Sequence, residues 1–238
     1  METIEKDVVV VGAGGAGMTA ALVAAKLGLD VLLVEKTAYF GGTTAWSGGG
    51  VWATCKSLAR DAAIDDSREM ARRYVQESVG PALRNDLLEA FLDNVADMVD
   101  FLQQNSEMKF SLQPGFPDWH PDVAGFSTGG RLVTPQNFDA KQLGNLFSSL
   151  RSPLVEFNAP GGMMLGLDDM PHIANVKSSW SSFRHIASLL LRYFWDRMRH
   201  GRGTRLTMGN ALAARLLYSC RSAGVQLWAN APMSRLVV

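Results

Sequence analysis

A glycine-rich turn between two short apolar runs constrains the fold more than any other feature of this chain. Residues 7–11 form a valine run with no polar alternation, which predicts a strand buried on both faces of a parallel sheet. Residues 12–17 have the spacing GxGxxG, and the alanine-rich residues 16–27 predict a helix. A second apolar run, residues 31–34, is followed directly by Glu35 at its carboxyl end. This order of strand, turn, helix, strand and acid predicts a doubly wound nucleotide-binding unit.

The three glycines of the GxGxxG spacing have separate structural roles. Gly12 permits the tight turn, Gly14 lets the backbone approach a pyrophosphate, and Gly17 lets the helix lie close to the strand. Free N–H groups at the helix start would face the phosphates. Glu35 would bind the ribose diol and would repel the 2′-phosphate of NADP. The motif predicts a dinucleotide site, and a doubly wound domain that binds no nucleotide is the alternative.

A second glycine-rich loop, residues 36–50, decides which dinucleotide is expected. It combines glycines that tolerate positive φ with the hydroxyls of Thr43, Thr44 and Ser47, which can hydrogen-bond a pyrophosphate or a ring edge. A simple NAD site needs no such loop directly after the acid, whereas an extended FAD does. The alternative is a flexible linker. We therefore predict an α/β, Rossmann-like FAD-binding domain with a parallel sheet and added helices.

At these residues the sequence resembles a known family. Lys36 after the acid, the Gly-Gly-Thr-Thr of residues 41–44 and the Ser-Gly-Gly-Gly of residues 47–50 resemble the flavoprotein family of fumarate reductase and succinate dehydrogenase. The loop is most similar to the 3-ketosteroid dehydrogenase branch, as are residues 117–121 and 204–216. The resemblance runs over nearly the whole chain, but only the first fifty residues are highly specific.

The resemblance implies a set of cofactor contacts. The turn would meet the pyrophosphate, Glu35 the ribose, Lys36 the adenine side, and the second loop the ribityl chain and flavin. The family joins a loop histidine covalently to the flavin in its membrane-bound members, and Thr43 stands in its place here, so FAD is expected to be held non-covalently. The candidate cofactor-binding residues are Gly12, Gly14, Gly15, Ala16, Gly17, Glu35, Lys36, Gly42, Thr43, Thr44, Ser47, Gly49 and Gly50.

Composition limits the other functions. Lysine plus arginine and aspartate plus glutamate both number 23, so no net field favours nucleic acid. Cys55 and Cys220 form no CxxC pair, and the four histidines are scattered, so no metal site is expected. No signal peptide is expected from the first residues, and no uninterrupted apolar run approaches twenty residues. The cytoplasm is the expected location, and the expected partner is a small-molecule substrate, which the resemblance makes lipophilic.

The irregular stretch of residues 110–166 holds one further cluster with chemical potential. Asp118, Trp119, His120 and Asp122 could serve proton transfer, or they could form a proline-bounded surface turn. The steroid branch usually has a tyrosine where this chain has Trp119. An indole donates a hydrogen bond but does not exchange a proton at workable pH, which counts against steroid desaturation.

The remaining pattern predicts helices over residues 67–78, 85–105, 178–200 and 208–221, then strands over residues 225–228 and from residue 236. The helix at residues 178–200 has a broad apolar band followed by arginines. Such a band more often packs against the rest of the protein, and we predict that packing rather than membrane contact. A basic amphipathic helix on a membrane surface is the alternative.

The resemblance also sets expectations for the chain as a whole. Members of the family are more than twice as long, so residues 1–238 are expected to be the N-terminal part of an FAD-binding domain, with an irregular and helical insertion at about 110–200. The substrate-capping domain and the catalytic residues would lie outside it, and the chain alone would be inactive. Two functions compete: part of an FAD-dependent oxidoreductase acting on a CH–CH bond, with a ketosteroid-like or fumarate-like substrate, and a non-catalytic nucleotide-binding remnant.

Overall fold

The computed structural model describes residues 3–159 and 161–237, which form two compact units. Unit 1 contains the residues up to 49 and those from 136 onward, and unit 2 contains residues 50–135. The α-helices are α1 (Gly15–Lys26), α2 (Ser57–Asp61), α3 (Arg68–Val79), α4 (Asn85–Asn105), α5 (Met170–Ala174), α6 (Trp180–His200) and α7 (Met208–Ser222). The strands are β1 (Val8–Val11), β2 (Val31–Val34), β3 (Val51–Trp52), β4 (Phe110–Leu112), β5 (Leu132–Pro135), β6 (Phe138–Asp139), β7 (Asn158–Ala159), β8 (Met163–Met164), β9 (Arg205–Leu206) and β10 (Gln226–Trp228).

Unit 1 is built around a parallel sheet with strand order β1-β2-β10. The middle strand, β2, is buried along its whole length, as its apolar sequence predicts. The prediction that β1 is buried on both faces is wrong, because Val9 and Val11 are more than half exposed. The reason is position: β1 lies at the edge of the sheet, and no described element covers the face on which these two side chains stand.

Helices α1 and α7 pack together in unit 1. Gly28 follows the last turn of α1 with a φ of 90°, a left-handed conformation that glycine adopts without strain. Most of α7 is buried, and its many small residues allow close approach to its neighbours. The Cys220 thiol donates to the Met18 carbonyl oxygen at 3.2 Å, and burial raises the pKa of this thiol to about 12. Cys220 therefore packs as a small neutral side chain.

Unit 2 combines a small antiparallel sheet, order β3-β5-β4, with α2, α3 and α4. Ser67 caps α3 by accepting from the Met70 N–H at 3.2 Å, at the start of the helix predicted over residues 67–78. Helix α4 spans the predicted residues 85–105, and Leu88 and Leu92 pack with Ala71 of α3. The apolar spacing of α4 therefore places one helix face in the core of this unit.

Two predictions about unit 1 fail. The apolar band of α6 packs against the described protein only in part: seven large apolar side chains of this helix are exposed, whereas Ile186, Leu189 and Tyr193 are half-buried. Residues 231–237 form no strand, so the strand expected from residue 236 is absent there, and its last residue, Val238, lies outside the described residues. Among the described helices, none combines the length and apolarity needed to cross a bilayer.

Candidate cofactor site

The glycine turn after β1 is held by short backbone contacts. Gly12 adopts a φ of 100°, and its N–H donates to the Val34 carbonyl oxygen at 2.8 Å, which ties the turn to the end of β2. A methyl group on Gly17 would lie 1.9 Å from the Gly12 carbonyl oxygen. Glycine is therefore required at position 17 by packing, which is the role that the spacing predicts.

Glu35 is buried at the carboxyl end of β2 and is fully oriented by its neighbours. Its Oε2 accepts from the Ala13 N–H at 3.0 Å, and its Oε1 accepts from the Thr37 N–H at 3.0 Å and the Thr37 hydroxyl at 2.9 Å. Burial raises the pKa of this carboxyl, but these hydrogen bonds and the charge of Arg151 outweigh burial and hold the pKa below its usual value. Glu35 is thus an ionised acceptor in a fixed orientation beside the turn.

The space beside Gly14 is open. A Cβ built on Gly14 would meet no described atom within 4 Å, although the residue is the N-cap of α1 and has ordinary extended dihedrals. The first N–H groups of α1 have no partner within the helix itself, and the helix dipole makes this end attractive to an anion. A phosphate group could therefore approach the backbone at Gly14 and the exposed Ala16.

The second glycine loop folds over the same turn. Its 3₁₀ helix, Gly42–Trp46, follows Gly41, which has a φ of 115°. The Gly15 N–H donates to the Thr44 hydroxyl oxygen at 2.9 Å, and a methyl group on Gly42 would lie 3.0 Å from the Gly14 Cα. The two glycine segments that the sequence assigns to one cofactor therefore lie against each other.

The start of α7 closes this loop from the other side. The Gly209 N–H donates to the Ser47 carbonyl oxygen at 3.0 Å. A methyl group on Gly209 would lie 2.1 Å from the Thr44 carbonyl oxygen, and one on Gly49 would lie 2.5 Å from the Met208 carbonyl carbon. Met208 itself has a φ of 52°, which is strained for a side-chain residue. The backbone of the second loop is therefore fixed by close contact with α7.

The candidate residues differ in their exposure and in the unit to which they belong. Lys36, Thr43 and Ser47 are exposed, and the Ser47 hydroxyl donates to the Thr44 carbonyl oxygen at 2.8 Å within its own loop. Gly50 belongs to unit 2, whereas the other candidates belong to unit 1.

Sequence reasoning missed two side chains beside the site. Arg151 donates through Nη2 to the Thr37 hydroxyl at 2.9 Å. Asn210 donates through Nδ2 to the Arg151 carbonyl oxygen at 2.8 Å. The segment of residues 204–216 carries part of the family resemblance, but no pattern in it distinguished Asn210 from an ordinary helix residue. Arg151 had no signal, because it lies in the irregular stretch.

The second candidate cluster, in unit 2, is structural. Asp118 is buried, and its carboxylate accepts from the Trp52 indole N–H at 2.7 Å and pairs with Arg131 at 2.7 Å. Trp119 is exposed, and its N–H and that of His120 donate to the Tyr74 hydroxyl. These contacts occupy Asp118 in holding the turn, which supports the alternative of a surface turn for this cluster.

A buried lysine lies near this turn, in the same unit. The ammonium group of Lys56 donates to the carbonyl oxygens of Ala53 and Gly130, both at 2.7 Å, and the residue is fully buried. Burial lowers the pKa of Lys56 to about 8, an effect partly opposed by the negative charge of Asp66.

The comparisons with known proteins agree with this geometry. Residues 7–238 match the family described as FAD binding domain. The chain belongs to that family. FAD is its cofactor, and the resemblance described from the sequence is confirmed. The open backbone at Gly14, the helix start and the oriented Glu35 carboxylate all fit a bound dinucleotide.

Several of the similar proteins are dehydrogenases. The chain is 34% identical over 235 residues to 4-oxocyclohex-2-ene-1-carboxylate 5-dehydrogenase of Sinomonas cyclohexanicum, covering 99% of this chain and 40% of that protein. It is 34% identical over 235 residues to a 3-oxosteroid 1-dehydrogenase of Mycolicibacterium smegmatis, covering 98% and 40%. The crystal structure of 3-ketosteroid delta1-dehydrogenase from Sterolibacterium denitrificans is 32% identical, with a TM-score of 0.86 over 98% of this chain and 41% of that one. The chain spans about two fifths of the length of these relatives.

Proposed function

We propose that this chain supplies the FAD-binding part of an oxidoreductase that dehydrogenates a carbon–carbon bond beside a ring ketone. The support is the shared chemistry in the names of the relatives. One acts at carbon 5 of a 4-oxocyclohexene and the others at carbon 1 of a 3-oxosteroid, so each desaturates a ring bond that includes the carbon next to the ketone. The fumarate-like alternative has weaker support, because the similarity to NADH:fumarate oxidoreductase of Klebsiella pneumoniae covers 54% of this chain and 14% of that protein. The substrate is therefore proposed as a cyclic ketone.

The proposed division of roles follows from the contacts of unit 1. The N–H groups of Ala16 and Gly17 at the start of α1 favour the pyrophosphate charge, and the open side of Gly14 admits it. The Glu35 oxygens each retain acceptor capacity for a ribose hydroxyl. When bound, FAD supplies the acceptor for a hydride from the substrate.

The second loop is proposed to lie along the middle and flavin end of the cofactor. Gly42, Thr44 and Gly49 are fixed by the turn and by α7, so this loop offers a rigid backbone wall. Thr43 is exposed and lacks the imidazole needed for the known covalent linkage, so we propose non-covalent FAD. We assign a catalytic role to none of the described residues.

Gly14→Ala provides a sharp test, because the folded protein has room for this methyl group. The dihedrals of Gly14, φ −80° and ψ −178°, suit alanine, and no described atom lies within 4 Å of the new Cβ. The methyl group would instead occupy the space proposed for the pyrophosphate. We expect FAD affinity, measured by quenching of flavin fluorescence on titration, to fall at least about tenfold, a loss of roughly 1.4 kcal/mol.

The control and the contrary results are equally specific. Gly115→Ala also meets open space at an ordinary φ, so it should leave both the melting temperature and FAD binding unchanged. If Gly14→Ala binds FAD as tightly as the original protein, the proposed path of the pyrophosphate is wrong. Tight binding of NAD together with failure to bind FAD would overturn the cofactor assignment for this chain.

Turnover distinguishes an enzyme part from a non-catalytic module. The expectation that the 238-residue chain alone has negligible activity stays a prediction. Turnover is measured with FAD in excess, with a 3-oxosteroid or a 4-oxocyclohexanecarboxylate as substrate, and with an artificial electron acceptor. Steady-state turnover above the free-flavin background, lost on Glu35→Arg, would contradict it.

A further inference from the structure

Arg151 is held in a fixed position beside the cofactor turn, although it lies 114 residues after Thr37 in the sequence. Its N–H donates to the Phe40 carbonyl oxygen at 2.9 Å, and its carbonyl oxygen accepts from the Asn210 side chain at 2.8 Å. Its guanidinium lies over the Trp46 ring, 4.9 Å from the ring centre. Both the backbone and the side chain of Arg151 are therefore oriented by their neighbours.

The guanidinium of Arg151 is connected to Glu35 through one hydroxyl group. The Thr37 hydroxyl oxygen accepts from Arg151 Nη2 at 2.9 Å and from the Tyr39 N–H at 3.3 Å. Both acceptor sites of this oxygen are then occupied, so the hydroxyl group itself must donate. Glu35 Oε1 lies at 2.9 Å and the Tyr39 carbonyl oxygen at 3.0 Å. Because a carboxylate is the stronger acceptor, the hydroxyl proton is directed to Glu35.

Arg151 also acts on the Glu35 carboxylate through its charge. The Ala13 N–H and the Thr37 groups bond this carboxylate directly, and Arg151 supplies the positive charge. On the β10 side, the Trp228 carbonyl oxygen bonds the Glu35 N–H and carries no charge. Burial raises the pKa of Glu35, but the hydrogen bonds and the positive charge together hold it below its usual value. Arg151 thus favours the ionised form, which accepts hydrogen bonds through both oxygens.

Packing alone does not account for an arginine at this position. The Nε of Arg151 is buried and has no hydrogen-bond partner among the described residues. A buried unpaired donor costs free energy, and an uncharged side chain of similar length could cover the Trp46 ring without that cost. The connection through Thr37 is the contact that uses the charge and the planar donor group of the guanidinium.

We propose that Arg151 is a positioning residue for the adenosine ribose of FAD: through Thr37 it orients the Glu35 carboxylate to accept from the ribose hydroxyls. This inference rests on the proposed contact between Glu35 and the ribose, and it adds the residue that prepares this contact. Flavin mononucleotide (FMN) has no adenosine. Arg151 is therefore expected to favour FAD over FMN.

Paired ligands separate the ribose contact from the rest of the site. ADP carries the ribose hydroxyls and 2′,3′-dideoxy-ADP lacks them, and both are titrated into the 238-residue protein by calorimetry. We expect the original protein to prefer ADP by at least about tenfold, since hydrogen bonds to a charged acceptor are among the stronger ones. Arg151→Met should reduce this preference to about threefold or less, and Glu35→Ala should abolish it. Arg151→Met should also weaken FAD binding and leave FMN binding unchanged.

Two further variants test the connection through Thr37. Thr37→Val removes the hydroxyl group and should lower the preference for ADP as Arg151→Met does. The double variant should lose little more than either single variant, because both remove the same connection. Arg151→Lys keeps a charge and a donor but not the planar guanidinium, so it should recover part of the preference.

The pH dependence of FAD binding gives a readout that a purely structural role would not change. In Arg151→Met, Glu35 loses a charge that keeps it ionised, so its pKa should rise. The loss of FAD affinity on acidification should therefore begin at a higher pH than in the original protein. The ¹³C resonance of the Glu35 carboxyl group should titrate at a correspondingly higher pH in this variant, and that measurement needs no ligand.

Arg221→Met is the matched control. The Arg221 guanidinium also lies over an aromatic ring, 5.2 Å from the centre of Tyr218, and donates to the carbonyl oxygens of Gln142 and Leu143. These partners lie outside residues 35–50. Arg221→Met should therefore keep both the preference for ADP and the pH profile of the original protein.

The contrary results separate this inference from the proposed function. If Arg151→Met weakens ADP and its dideoxy analogue equally, with circular dichroism confirming the fold, Arg151 only supports the loop and the inference is wrong. If Glu35→Ala abolishes the preference for ADP but Arg151→Met retains it, the inference alone fails. If Glu35→Ala retains the preference, the proposed ribose contact fails and the inference fails with it. An unchanged titration of the Glu35 carboxyl group in Arg151→Met would overturn the electrostatic part.

Discussion

Replacing Glu35 by glutamine tests whether this carboxylate organises the cofactor turn. The side chain keeps its shape, but its two ends are no longer both acceptors. If the amide oxygen faces Thr37, the amide NH₂ group faces the Ala13 N–H, and two donors meet in a buried site. An unsatisfied buried donor costs about 1–3 kcal/mol, and the charge-assisted strength of the other bonds is also lost. We expect Glu35→Gln to lower the free energy of unfolding by about 2 kcal/mol at pH 7.

The same carboxylate makes a prediction about pH. Its pKa in the folded protein lies below the ordinary 4.5, so its contribution is fully present above about pH 4.5 and is lost as the pH falls through the folded pKa. The difference in unfolding free energy between the original protein and Glu35→Gln should therefore shrink on acidification below that pH. Urea denaturation monitored by circular dichroism, between pH 7 and the lowest pH at which both proteins fold, measures the difference.

The control and the refuting result use the same assay. Glu5 is exposed, so Glu5→Gln should change the unfolding free energy by less than about 0.5 kcal/mol. If Glu35→Gln is as stable as the original protein at pH 7, the carboxylate does not hold the turn. A destabilisation that stays constant as the pH falls would show that the loss comes from shape rather than charge.

Three further predictions follow from single residues. Gly17→Ala should weaken folding and FAD binding together in urea and flavin titrations, since its methyl group would meet the Gly12 carbonyl oxygen at 1.9 Å; normal stability would contradict this. Acid precipitation of the FAD-loaded protein should leave the yellow colour in the supernatant, because Thr43 cannot form the covalent link; colour in the pellet would refute it. The free energy of unfolding should rise by about 3 kcal/mol between pH 8 and 10.5, because in this range Lys56 is protonated mainly in the unfolded state. The variant Lys56→Met should lack this rise, and an equal rise in that variant would show that another group causes it.

The cofactor turn could be predicted from sequence because its determinants are local. Gly12 has the positive φ and Gly17 the close contact that their spacing indicates, and Glu35 lies at the predicted end of β2. In a βαβ unit the turn glycines and the acid at the end of the second strand each have a fixed geometric role, so a short stretch of sequence is enough to predict the turn.

The parts that sequence did not predict depend on distant neighbours. A valine run cannot reveal whether Val9 and Val11 of β1 will be covered, since coverage depends on which elements pack there. The periodicity of α6 likewise identifies an apolar face but not the direction in which it points. That direction is set by Asp196 and Asp169, whose polar contacts lie on the other side.

The contact between Gly209 and the second glycine loop has a consequence for folding order. The Ser47 carbonyl oxygen accepts from the Gly209 N–H, and Asn210 reaches the Ala45 carbonyl oxygen across 165 residues of sequence. The local βαβ contacts can form as soon as the first strands and helix leave the ribosome. The loop cannot take its final backbone path until α7 has been synthesised and has docked, because no nearer segment supplies these contacts among the described residues. Contacts between segments so far apart in sequence form slowly. A newly synthesised chain should therefore form the glycine turn after β1 early and become able to bind FAD late.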